Sequence, residues 1–154
     1  MEKHRTPNTE RRTSNGAGGR GTGRVFDLED RLLEFASAVI DVTEKLPNSR
    51  SGNHVAGQLL RSGTSPFSNH GEAESAESPD DFIHKLKICL RELRETRRWL
   101  RLIYRQSWLR TDQQLQAALI EVEELTRIFV ASIRTAKQNQ IQSKTNKSTP
   151  DTRS

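Results

Sequence analysis

The feature that most limits what this chain can become lies between residues 82 and 103. Phe82, Leu86, Cys89, Leu93, Thr96, Leu100 and Ile103 recur at alternating spacings of four and three, which keeps one stripe of an α-helix turned to the same neighbour for about six turns. A strand cannot bury that set, because successive residues on a strand point to opposite faces. A helix with such a seam needs partners of the same kind. Two more appear: Leu28, Leu32, Phe35, Val39, Val42 and Leu46 form one stripe, and Leu115, Ala118, Val122, Leu125, Phe129 and Ser132 form another.

Local chemistry marks the ends of these helices. Asp27 is the expected cap of the first, with Asp30 answering it, and Pro47-Asn48 stops it. Ser78 caps the third, Pro79 takes the first helical position, and Asp80 and Asp81 complement the positive end of the dipole. The fourth starts at Thr111-Asp112 and loses periodicity after Gln138. Between the first and third, residues 52–77 carry a weaker stripe: Val55, Leu59, Ser62, Pro66, Asn69, Ala73 and Ala76. Pro66 has no amide to offer Ser62, so one kinked helix is expected in preference to two short ones. The fold class read from this pattern is all-α, an antiparallel up-down-up-down four-helix bundle over 26–138 with disordered N- and C-terminal tails.

Charge separates the ends from the body. Residues 1–25 hold six Lys or Arg and two acids, residues 137–154 hold four and one, and 26–136 hold fifteen and seventeen. The net charge of +5 therefore belongs to a Gly/Arg-rich arm, 1–25, and a polar tail, 139–154, both too poor in apolar residues to offset the entropy of ordering. No run of apolar residues is long enough for a signal or a membrane span, and the lone Cys89 cannot form an intramolecular disulfide, so a reducing cytoplasm is the expected location.

Motifs of chemistry are weak. Gly16-x-Gly18-x-x-Gly21 spells a dinucleotide fingerprint, yet no strand precedes it and no capped helix follows. Asp81-x-x-His84 is half of a di-iron pair with no second half, and Asp81 already serves the helix dipole. Arg50 and His54 miss the spacing of small helical ribonucleases. Cys89 falls on the seam, where a thiol acts as a small hydrophobe. The chain is therefore read as no enzyme, with no cofactor, no metal, no small-molecule substrate and no membrane partner.

At Leu59-Leu60-Arg61-Ser62-Gly63-Thr64-Ser65, Asn69-His70-Gly71-Glu72-Ala73, Asp81-Phe82-Ile83-His84-Lys85-Leu86 and Leu93-Arg94-Glu95-Thr96-Arg97-Arg98-Trp99-Leu100, the sequence resembles the four-helix-bundle proteins encoded in intervening sequences of the 23S ribosomal RNA gene. The resemblance covers about Phe26 to Phe129. It implies an antiparallel bundle assembling as a homopentamer, and kinship with a basic pentameric accessory protein of diversity-generating retroelements that binds nucleic acid. The Gly/Arg arm has no counterpart in that family pattern.

Two groups of side chains are the candidates for function. Arg91, Arg94, Arg98, Arg101 and Arg105 recur at helical spacing on the side of the third helix away from its seam, and the other three helices are net acidic. They either bind the phosphates of RNA or DNA, helped by the basic ends, or they pair with acids such as Glu29, Glu34, Glu44 and Glu121 to Glu124 inside the bundle or between subunits of a homo-oligomer. Arg61, Ser65, Asn69 and Glu72 stack along one side of the second helix, where a polar network with Glu95 and its neighbours would set helix register.

Overall fold

The computed structural model describes residues 23–148, with side chains from Leu28 onward. They form four helices: α1 Gly23–Glu44, α2 Arg50–Glu74, α3 Pro79–Arg105 and α4 Gln113–Lys147. α1 meets α2, α2 meets α3, α3 meets α4, and α1 closes on α4, while the diagonal pairs do not touch through their backbones. With loops this short, successive neighbours run antiparallel, and the result is the expected up-down-up-down bundle.

The core is the sum of the stripes. Leu32, Phe35, Val39 and Val42 of α1, Val55 and Leu59 of α2, Leu86, Cys89, Leu93, Leu100 and Ile103 of α3, and Leu115, Val122, Leu125 and Phe129 of α4 are all buried. Ser78 Oγ accepts from the Asp81 amide at 3.1 Å with Pro79 beside it, and Asp112 accepts from the Leu115 amide at 3.0 Å. α3 then ends at Ser107, whose φ of 63° is the left-handed turn that breaks a helix. Trp108 and Leu109, just past that turn, are half-buried against the core.

Four expectations are corrected. α1 begins at Gly23, so Asp27 stands inside the helix and not at its cap; adding a turn to a helix already held by packing avoids the cost of nucleation. The arm over 1–22 lies outside the described residues. α2 starts at Arg50, because Ser49 supplies an unforeseen cap, its Oγ accepting from the Gly52 amide at 3.0 Å. The buried stripe of α2 passes through His70, 4% exposed, while Asn69 is only half-buried. Finally, α4 does not stop at Gln138 but runs to Lys147, with Ser143, Thr145 and Ser148 hydroxyls bonding back to carbonyls one turn earlier. Residues 149–154 lie outside the described residues.

α1 and α2 approach closely at Gly63, where an added Cβ would sit 2.7 and 2.8 Å from the two methyls of Val39. Val39 is fully buried and its branched side chain has no free rotamer to retreat into. Gly63→Ala is therefore expected to destabilise by about 1–2 kcal/mol net, overpacking outweighing the helix preference of alanine. Gly57 has nothing within 4 Å of its added Cβ, so Gly57→Ala should instead stabilise by about 0.5–1 kcal/mol. Opposite shifts in urea midpoint check the pair; equal shifts would contradict the close approach.

Cys89 is fully buried and its thiol donates to the Pro66 carbonyl at 3.7 Å. Burial pushes its pKa up to about 12. The folded state thus holds a proton that the unfolded thiol gives up near 9, so its stabilisation is complete below pH 9 and is lost as pH rises towards 12, by about 1.4 kcal/mol per unit at most. Iodoacetamide at neutral pH is expected to modify Cys89 only on unfolding; rapid native labelling would contradict this burial.

Candidate nucleic-acid interface

α3 owes its charge to the residues its seam leaves outside. Arg91, Arg94, Arg98, Arg101 and Arg105 are all exposed, and the stripe is about 21 Å long at the helical rise. It lies along the flank where α3 meets α4. One groove of that flank is lined by Lys87, Leu90, Arg91, Arg94, Glu95, Arg98, Ile133 and Lys137. The next is lined by Arg98, Arg101, Leu102, Tyr104, Arg105 and Leu119. Sequence reading found the arginines but missed Lys87 and Tyr104 of the same helix, and Lys137, which joins them only because α4 lies alongside.

The internal pairing proposed for this stripe does not form among the described residues. Glu121 takes Arg31 of α1 at 2.8 Å, Glu123 takes Arg97, and Glu124 takes Arg127 at 3.1 Å. Glu29, Glu34 and Glu44 sit exposed on α1, diagonal to α3, and make no ion pair. Within the stripe only Arg91 has a carboxylate, Glu92 at 3.5 Å. Arg94, Arg98, Arg101 and Arg105 have no partner among the described side chains, nor have Lys87 and Lys137 across the same groove.

The polar set on α2 is brought together only in part. Arg61 reaches α3, donating to Glu92 at 3.2 Å and to Glu95. Glu95 also accepts from the Trp99 indole at 3.3 Å. The Arg61 guanidinium, aided by that indole, holds the Glu95 carboxyl below the usual carboxylate range, and Glu95 raises Arg61 in return. Ser65 and Asn69 instead bond each other at 2.7 Å within α2, and Glu72 pairs separately with Lys85 at 2.7 Å. What was read as one network is three local contacts. Its inner member, Glu92, is 6% exposed and was missed. The signal available was Arg61 itself, a cation on an otherwise acidic or neutral stretch of α2.

Among the described residues, no group of His, Cys, Asp and Glu is arranged to hold a metal, and no helix is long and apolar enough to cross a membrane.

The helices and this flank define a class of protein, a small antiparallel four-helix bundle with one arginine-faced side. Within that class the chain belongs to the 23S rRNA-intervening sequence protein family, whose family model matches residues 27–131. It is similar to a solved structure from Bacteroides thetaiotaomicron VPI-5482, a protein of unknown function from the S23 ribosomal protein family. The two are 36% identical with a TM-score of 0.63, over 69% of this chain and 97% of that one. No match is found among curated proteins.

Proposed function

We propose that this protein is a non-enzymatic, homo-oligomeric bundle of the cytoplasm that binds RNA or DNA through the α3–α4 flank. The observation that carries the reading is that Arg94, Arg98, Arg101 and Arg105 are exposed, without partners among the described residues, along two grooves that meet at Arg98, the first of them shared with Lys87 and Lys137. Four guanidiniums with no carboxylate to satisfy them are best matched by a polyanion, and a phosphate backbone offers charge at comparable repeat. The homopentamer implied by the family resemblance would place five such flanks on one particle and concentrate their field. The buried free thiol of Cys89 agrees with a reducing compartment.

Binding to a generic RNA should weaken steeply with salt, with a log–log slope of about −3 for four phosphate contacts. Absence of binding at low salt would overturn the reading.

One observation favours a second reading. Glu29, Asp30, Glu34, Asp41 and Glu44 are exposed on α1, the helix diagonal to α3, without a cationic partner among the described residues. The arginines of one subunit would then meet the acids of the next in a head-to-tail contact. In that case Glu34→Lys with Asp41→Lys dissociates the oligomer, whereas on the preferred reading it leaves nucleic-acid affinity unchanged or higher.

A further inference from the structure

We infer that the groove at the C-terminal end of α3 receives an unpaired base, stacked on Tyr104, so that the nucleic acid bound is single-stranded. This rests on the nucleic-acid reading above and adds to it the conformation of the strand and a residue that senses it.

Charge alone does not account for this end of the flank. The groove has a volume of about 440 Å³ and is lined by Arg98, Arg101 and Arg105 together with Leu102, Tyr104 and Leu119. Tyr104 is 43% exposed and Leu102 37%. Tyr104 and Leu102 set an aromatic ring and an aliphatic side chain, both solvent-exposed, between the arginines of this groove, so it offers apolar surface beside its charge. A surface that alternates cations with an aromatic platform is what an unpaired strand requires, since its phosphates lie on one side and its bases are free to turn their faces outward. A duplex keeps those faces stacked inside and offers Tyr104 nothing to cover.

The ring already has a planar partner. The Arg110 guanidinium lies over it, 5.8 Å from the Tyr104 centroid, a cation–π arrangement that covers one face with a flat group which a base must displace. A base takes an equivalent place on the ring, and Arg110 is freed to meet the adjoining phosphate. Arg98, Arg101 and Arg105 then hold the backbone on either side.

The test compares three fluorescent probes on the full chain at low salt: a short oligothymidylate, the same length of abasic strand, and a duplex. The wild type is expected to bind the oligothymidylate about 5- to 100-fold more tightly than the abasic strand, the range that one stacked base supplies. Tyr104→Leu should erase that difference while leaving affinity for the abasic strand unchanged, and Tyr104→Trp should keep it. Tyr104 is the only tyrosine in the chain, so fluorotyrosine labelling gives a single ¹⁹F resonance, expected to shift with the oligothymidylate and not with the abasic strand. That signal also serves if the leucine variant misfolds. Equal binding of oligothymidylate and abasic strand, or a resonance indifferent to bases, would overturn the stacking inference and leave the phosphate reading standing. No binding of any probe would overturn both.

Discussion

Phe129→Ala is expected to lower the unfolding free energy by about 3–5 kcal/mol, a third or more of the stability of an ordinary domain of this size. Phe129 is fully buried on α4. Its ring meets the His70 ring of α2 edge to face, centroids 6.2 Å apart at 87°. These two helices stand on a diagonal of the bundle and do not touch through their backbones, so the Phe129–His70 pair fills the middle. Truncation removes a large apolar surface and leaves a hole that four helices, each held by two neighbours, cannot close around. His70 makes the site less forgiving. Its Nε2 lies 3.4 Å from Glu74, but its buried Nδ1 has no hydrogen-bond partner among the described residues, so losing the aromatic edge leaves the imidazole poorly accommodated. Urea denaturation followed by circular dichroism reads the change. A loss below about 1 kcal/mol would mean that the middle of the bundle is not packed through Phe129.

Reversing three charges, Arg94→Glu, Arg98→Glu and Arg101→Glu together, should cost nucleic-acid affinity at least ~100-fold at low salt, because three phosphate contacts become three repulsions. The same variant should unfold within about 1 kcal/mol of the wild type, since none of the three arginines has a partner among the described residues and exposed substitutions are usually mild. The milder set Arg94→Gln, Arg98→Gln and Arg101→Gln should flatten the salt slope by about two units. Measuring subunit association on the same samples separates the two roles of the stripe. A reversed variant that stays assembled but no longer binds supports the nucleic-acid reading, and one that binds as before while falling into monomers supports the subunit-contact reading.

α3 was legible in the sequence down to its cap because each of its signals is local. Ser78, Pro79 and the two aspartates mark its start within one turn, and large side chains repeat on its seam. α2 was harder. Beyond Leu59 its inner face is built of Ser62, Gly63, Pro66, His70 and Ala73, none greasy enough to declare the register, so Asn69 was placed inward and His70 beside it. The two are one residue apart, and only the fit against Val39 and Phe129 decides between them. The extension of α4 to Lys147 was missed for the opposite reason: it buries little, and weak polar helix propensity carries no periodic mark.

The candidate site divides along the same line. Five arginines at helical spacing must share a flank of any helix that contains them, and no knowledge of the neighbours is needed to say so. Which acids they meet depends on the order of helices around the bundle. With α1 diagonal to α3, the exposed acids of α1 are out of reach, while Arg61 and Arg97 collect the carboxylates that are near.

Sequence alone therefore determined the four helices over the described residues, the stripes that α1, α3 and α4 bury and which flank of α3 is basic, because a helical repeat is a property of one segment. The tertiary structure decided that Arg94, Arg98, Arg101 and Arg105 have no partner among the described residues, that Lys137 shares their groove, and that His70 and Phe129 meet at the centre. Those contacts join residues distant in the chain, and they are set by how closely whole helices can approach, as at Gly63 and Val39.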